Sequence, residues 1–280
     1  MQLNVLHLDC ALSAQTDFIR AAGAACGRHL HAEEDGPQLR LWARQHQLDI
    51  FMQKLRTFLT GDAPQLTFMG SGDFHHITAL LLAAAAEKFP APLTLVHFDN
   101  HPDWVKFPRG MHCGSWLNNA RMIANVTKVF TLGICSDDIY KSKSAATLDL
   151  LGSGFLEILP YGSDYQQIFK TISTENIYIT LDKDVLVHDD TLTNWDQGKM
   201  RLDDIAQIIT SLGTRYRIIG ADVIGDVSPV CFGGSLVDRF LKTGEVFLDH
   251  PQTHVDHTAA ARINASANIA LLNTFAAVMA

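Results

Sequence analysis

Asp99, His101 and Asp103 stand at alternate positions in the stretch His97-Phe98-Asp99-Asn100-His101-Pro102-Asp103-Trp104. In an extended backbone alternate side chains point the same way, so a chain leaving a strand here aims two carboxylates and an imidazole at one point. A second cluster, Asp182-Lys183-Asp184, ends the apolar run Ile177-Tyr178-Ile179-Thr180-Leu181 with the same grammar. Side by side, the two strand ends would form a cage suited to Mn²⁺ or a similar borderline-hard cation. Two unpaired carboxylates in a crevice repel until one is protonated; a bound cation removes that cost. Lys183 lies between its two aspartates and, in an extended strand, points the other way.

Three further segments carry reactive side chains. Gly70-Ser71-Gly72-Asp73-Phe74-His75-His76 follows the run Leu66-Thr67-Phe68-Met69. It reads as a turn with Asp73 capping the next helix and one or both of His75 and His76 opening it, as surface histidines. His112, between glycines in Gly110-Met111-His112-Cys113-Gly114, is a loop histidine or a proton carrier, since imidazole titrates near pH 6.5. Asp222 and Asp226 follow the run ending at Ile219; either could face the crevice, cap a helix or close a turn. His97 lies inside an apolar run and reads as a core residue. Cys113 reads as structural, for no Cys-His-Asn signature accompanies it.

These segments need elements to position them. Strand-like runs occupy residues 3–8, 66–69, 93–98, 128–132, 156–159, 177–181 and 217–221, and helical patterns occupy 39–59, 77–88, 115–124, 163–172, 201–212 and 258–278. This alternation predicts an α/β fold: three layers, with a mostly parallel central sheet and helices on both faces. The central runs are almost wholly apolar, as in strands covered on both sides. Ligands gather at the carboxyl ends of strands in such sheets, which is where both acid clusters fall. The expected organisation is a single domain over residues 1–280, with a 47% hydrophobic composition ample for a core.

Thirty acidic residues against 22 Lys and Arg give a net charge of -8, which argues against nucleic acid or an anionic membrane as partner. Five cysteines, odd in number and without a CxxC pair, argue for a reducing compartment. With no leader-like start and no long apolar run, the expected location is the cytoplasm.

In this order the motifs resemble the ureohydrolase superfamily of arginase, agmatinase and formiminoglutamase. Gly72-Asp73-Phe74-His75 corresponds to its Gly-Gly-Asp-His segment, and residues 99–103 to Asp-Ala-His-x-Asp. His112-Cys113-Gly114 matches its His-Gly, residues 180–184 its Ser-x-Asp-x-Asp, and Asp226-Val227-Ser228-Pro229 its late acidic segment. The resemblance implies an arginase-like fold and two Mn²⁺ per chain. Asp99 and Asp182 would bridge the ions, with His75 and Asp103 completing one and His101 and Asp184 the other. It further implies a metal-bridging hydroxide that attacks a guanidino, formimino or amide carbon, proton transfer by His112, a substrate-facing Asp226, a small-molecule substrate and self-association.

The chain departs from the family pattern at several points. Phe74 separates Asp73 from the histidines, so that His76 could be the ligand in place of His75; Thr180 replaces Ser, and Asp226 is one methylene shorter than the family's Glu. The leading reading is therefore a binuclear Mn-dependent hydrolase of linear non-peptide C–N bonds, with its substrate open. The alternatives are a mononuclear Zn-dependent deacetylase or amidohydrolase, and a non-catalytic metal-binding relative.

Overall fold

The apolar runs become the inner strands of one parallel sheet. The computed structural model describes residues 1–141, 143–251 and 255–279. Its strands are β1 Gln2–His7, β2 Arg28–His31, β3 Trp42–Ala43, β4 Gln65–Phe68, β5 Leu93–Phe98, β6 Met111–His112, β7 Val126–Leu132, β8 Leu156–Leu159, β9 Asn176–Asp182 and β10 Arg217–Ile224. Eight of them form the main sheet in the order β2-β1-β4-β10-β9-β5-β7-β8, every pair parallel. β3 and β6 form a separate antiparallel pair that joins Trp42 to His112. Every residue of β4, β5 and β9 is buried, which explains why these strands read as unbroken apolar runs.

The sheet separates two cores. On one face the helices Gln45–Phe58, Thr78–Lys88 and Leu117–Ala120 pack Leu48, Leu82 and Leu117 with Leu6, Leu95 and Tyr178. On the other the helices Thr16–Ala24, Leu202–Gly213 and His257–Val278 pack Phe18, Ile209 and Leu271 with Val5, Val96 and Ile179. Consecutive residues such as Leu95 and Val96 thus serve opposite faces, the period of two that a strand imposes. With helices on both faces the architecture is the expected three-layer α/β fold.

Several elements differ from the sequence-based expectation. The strand β2 was not expected, because Arg-His-Leu-His lacks an apolar run; it is an edge strand whose residues remain partly exposed. The helices Thr16–Ala24, Ala145–Gly152 and Leu236–Asp249 were also unassigned. The expected helix over 39–59 is interrupted: Leu41 sits at φ 62°, Trp42–Ala43 pairs with β6, and the helix starts only at Gln45. Pairing with a distant strand outweighs local helical pattern there. The patterns over 115–124 and 163–172 shrink to Leu117–Ala120 and Ile168–Thr171, each preceded by a short 3-10 turn.

Register sets up the site. Phe98 of β5 lies opposite Leu181 of β9, so Asp99 and Asp182 leave adjacent strands at the same level. On the far side of β9, Asp182 lies opposite Ile224 of β10, and β4 brings the turn after Phe68 to the same edge. Among the described residues no helix is long and apolar enough to cross a membrane.

Candidate metal centre

Asp99 is the hub. Its Oδ2 lies 3.2 Å from His75 Nδ1 and 2.8 Å from His97 Nε2. Its Oδ1 accepts a 2.6 Å hydrogen bond from the His101 backbone N–H and lies 3.7 Å from His101 Nδ1. One carboxylate therefore presents an oxygen to each of two groups. The first comprises His75, His97, Asp99 and Asp103; the second comprises Asp99, His101 and Asp184. Asp103 Oδ2 and Asp182 Oδ2 stand 3.0 and 3.4 Å from His75 Nδ1, and Asp184 Oδ2 stands 2.8 Å from His101 Nδ1. All six candidate ligands, His75, Asp99, His101, Asp103, Asp182 and Asp184, thus converge. His101 keeps 17% of its side chain exposed, so the cluster opens to solvent on that side.

The backbone is shaped to hold this cluster. Asp103 adopts φ 44°, a left-handed conformation that costs a non-glycine residue free energy and is retained where surroundings enforce it. The Trp116 indole N–H donates to its Oδ2. Gly225 has φ +99°, and an added Cβ would stand 2.3 Å from Asp182 Oδ1, so only glycine fits. The Asp184 and Asn100 backbone N–H groups donate to Asp182 Oδ1 and Asp184 Oδ1, each at 3.0 Å.

His75 supplies the sharpest test of whether a cation fits. The Thr180 hydroxyl donates to Asp222 Oδ1 at 2.7 Å, so at 3.2 Å it can only accept from His75 Nε2–H. With the proton fixed on Nε2, the Nδ1 lone pair faces three carboxylate oxygens within 3.4 Å. Lone pairs facing each other in a buried site repel. Only a proton or a metal cation between them makes the arrangement favourable. Burial disfavours charge on His75, but Asp103 and Asp99 outweigh it and raise the imidazole well above its usual value. His101 is raised in the same way, against burial, by Asp184 and Asp99.

The carboxyls respond in kind. Burial, and then Asp184, pushes Asp182 well above the usual range. Burial and Asp99 raise Asp184 to about 6, and they raise Asp103 as well. Asp99 is driven the other way: burial would raise it, but His97 and the other imidazoles hold it low. Four carboxyls and two imidazoles sharing too few protons are a donor set that fits divalent cations.

The remaining candidates fall in different places. His76 is buried outside the cluster, and neither ring nitrogen has a hydrogen-bond partner among the described residues; of the two histidines, His75 is the one that faces the carboxylates. His112 lies on β6, where its Nδ1 accepts from the Gly114 N–H at 2.8 Å and its Nε2 meets Glu245 of the helix Leu236–Asp249. Asp226 is not brought to the cluster. Its Oδ1 is paired with the buried Lys183 ammonium, and Asn268 donates to Oδ2 at 3.4 Å. Lys183, in the short 3-10 turn after β9, also donates to Asn268 Oδ1 of the helix His257–Val278 at 2.9 Å, while its two aspartates meet His75 and His101.

Asp73 is neither a ligand nor a simple cap. It receives Arg40 at 2.6 Å, the Trp195 indole at 3.0 Å and His250 at 3.1 Å. Burial would raise its carboxyl, but the Arg40 guanidinium more than offsets this and holds it far below the usual range.

Four residues take supporting roles, and two of them are among those named from the sequence, Asp222 as a candidate to face the crevice and His97 as a core residue. His97 is fully buried, as expected of a core residue, yet it also bonds Asp99 Oδ2 while its Nδ1 meets Thr131 Oγ1 at 3.1 Å. Its period-two relation to Asp99 was a usable signal. Trp116 and Glu245 act over longer separations and left no local pattern, and Asp222, one of the two candidates to face the crevice, braces His75 through Thr180.

A model of the Arginase family matches residues 39–231. An uncharacterized protein of Thermotoga maritima is 30% identical over 168 residues, which is 60% of this chain and 60% of that protein. An agmatinase of Chromobacterium violaceum is 28% identical over 191 residues, 64% of this chain and 54% of that enzyme. The chain therefore covers less than two thirds of the length of either curated relative. Among solved structures, formimidoylglutamase from Bacillus subtilis superposes with a TM-score of 0.63 at 14% identity, over 98% of this chain and 86% of that one. That likeness establishes the fold, and the family match spans the cluster from Asp99 to Asp184 as well as His75 and His112; the chain belongs to the arginase family.

Proposed function

We propose that this chain is a hydrolase of linear non-peptide C–N bonds that works with two Mn²⁺ ions and takes a guanidino, formimino or amide substrate. The observation that carries the reading is His75 Nδ1 held, with its tautomer set by Thr180, against three carboxylate oxygens within 3.4 Å. His75 and Asp103 would hold one ion, His101 and Asp184 the other, and Asp99 and Asp182 both. Bound together, such ions lower the pKa of water and polarise a planar carbon, which makes attack possible near neutral pH.

The chain's own residues do the rest. His97 and Trp116 fix the orientation of Asp99 and Asp103. To His112 we assign the proton transfer: its side chain keeps 14% exposure and, with Nδ1 accepting from Gly114, its Nε2–H donates to Glu245. Asp226 is neutralised by Lys183, so the carboxylate facing His112 is that of Glu245. A pocket of about 230 Å³ lined by Asn194, Ser228 and His250, which includes none of the six candidate ligands and is linked to His101 through Trp195, is the space we assign to the distal part of a small substrate. The Trp195 ring stands between His250 and His101, with centroids 4.5 and 5.9 Å away.

The test is metal content by elemental analysis after loading with Mn²⁺, beside Asp99→Asn. Two ions per chain, lost together in the variant, followed by turnover of a guanidine, formimino or amide panel, is the expected result. One Zn²⁺ per chain would favour the deacetylase reading. Two ions without turnover would favour a non-catalytic relative.

A further inference from the structure

A second histidine–carboxylate cluster lies on the same edge of the sheet, away from the site described above. His7 is the last residue of β1 and His31 the last of β2, and the two are register partners. His29 lies two residues before His31 and so shares its face. The rings form a stack: His7 and His31 have centroids 4.6 Å apart and planes within 5°, and His7 and His29 are 5.3 Å apart at 16°. His7 Nε2 and His29 Nδ1 are 3.0 Å apart, and His31 Nδ1 meets Glu33 Oε1 at 3.0 Å.

Two features distinguish this group from an ordinary polar edge. His7 is 2% exposed, and its Nδ1 is buried with no hydrogen-bond partner among the described residues. A buried polar atom left without a partner costs free energy. Second, His7, His31 and Glu33 each offer a donor atom, all within 4.8 Å of one another. Metal binds the neutral imidazole through a ring-nitrogen lone pair, and the buried His7 Nδ1 has one that no other group uses among the described residues. Donors around a four-coordinate ion lie about 2.0–2.2 Å from it; His31 Nδ1 and Glu33 Oε1 already stand 3.0 Å apart, so the adjustment needed is their approach to His7. His31 and Glu33 have 67% and 44% exposed side chains and are free to close on the fixed His7 ring.

We propose that His7, His31 and Glu33 form a second metal site, specific for a divalent transition cation of the Zn²⁺ class, with His29 orienting His7. An imidazole-rich set with a single carboxylate favours Zn²⁺ and its neighbours over Mn²⁺, which stands low in the affinity series. A cation here joins the edge strand β2 to β1. The His7–His29 hydrogen bond acts as the outer-shell contact that metal-bound histidines characteristically make. The site shares no residue with the Asp99 cluster and does not depend on what that cluster catalyses.

The experiment uses the full chain carrying Asp99→Asn, titrated with Zn²⁺ and Mn²⁺ and read by equilibrium dialysis with elemental analysis. One Zn²⁺ per chain should bind, with Mn²⁺ competing poorly. Adding His31→Asn, an exposed position that leaves packing intact, should weaken Zn²⁺ binding by more than the about 10–100-fold that loss of an outer-shell partner costs. Glu33→Gln should weaken it less. Co²⁺ offers a second readout: its visible absorption in the Asp99→Asn chain should fade when His31→Asn is added. Unchanged Zn²⁺ affinity and Co²⁺ spectrum with His31→Asn would overturn the proposal, as would equal affinity for Mn²⁺.

Discussion

His75 and His112, to which the proposed function gives the roles of ligand and proton carrier, are held in opposite ways. His75 is 2% exposed and clamped from beneath by Thr180 and Asp222, on the neighbouring strands β9 and β10, so one ring nitrogen has a single direction. His112 sits half-buried on a two-residue strand, and its Nε2 partner, Glu245, comes from a helix 133 residues later. A ligand must hold its lone pair still, and rigid strand ends do that. A proton carrier must exchange partners, and a contact with a loosely covered helix allows it. The helix Leu236–Asp249 leaves Leu236, Phe240, Phe247 and Leu248 exposed, so it is far less embedded than the strands under His75.

The comparison can be broken at the framework first. Lys183→Met leaves Asp226 buried without its counter-ion, and loss of one partner of a buried pair costs about 3–5 kcal/mol. Chemical denaturation should register that loss, while Mn²⁺ stoichiometry stays unchanged, because Lys183 pairs with Asp226 and Asn268 while its two aspartates meet the histidines. Loss of metal in a still-folded Lys183→Met chain would contradict the separation of these two sets of contacts.

Thr180→Val keeps the shape but removes the acceptor that fixes the His75 tautomer. Metal affinity should fall about 10–100-fold, the usual effect of an outer-shell partner, measured by competition with a chelator. An unchanged affinity would mean that the Nδ1 lone pair is not set from beneath.

Glu245→Gln addresses the other histidine. Metal content should hold, while kcat/KM on a responsive substrate falls about tenfold, less than the ~10²–10⁴-fold that full proton transfer contributes. The pH–rate profile should shift, and Glu245→Asp should restore part of the loss. A change in metal content instead would place Glu245 among the ligands.

The smallest effect concerns metal-free protein. Asp184 is held at about 6 in the folded chain, against a reference near 3.9, and His75 and His101 are raised above theirs. Each group binds protons more tightly folded than unfolded. Its contribution is full below the unfolded value and lost as pH rises through the folded one. His7, His29 and His76, which burial lowers, pull the other way over the same range with or without metal in the cluster, so the cluster is read as a difference: from pH 8 to pH 6 metal-free protein should gain stability relative to the Mn²⁺-saturated chain, on the order of 1 kcal/mol. Thermal melts of the two forms should show this. The same pH dependence in both forms would show that the carboxyls are not sharing protons.

The sequence by itself determined the inner strands and the cage. β5 and β9 are apolar throughout because both faces are covered, and their ends are marked by acids at period two, so Asp99, His101, Asp103, Asp182 and Asp184 were legible without coordinates. Which of His75 and His76 faces the cage was not legible, because a short 3-10 segment turns adjacent side chains in different directions. Only the tertiary structure decided that Asp226 spends its charge on Lys183, that Glu245 reaches His112, and that Asp222 braces His75 through Thr180. Each is a contact between residues more than 40 positions apart. The stacked histidines of β1 and β2 follow the same rule: His29-x-His31 gave no strand signal, and only edge pairing brought it to His7. Local pattern records what one segment does with water and core. Which charge meets which is settled when distant segments compete for the same buried space.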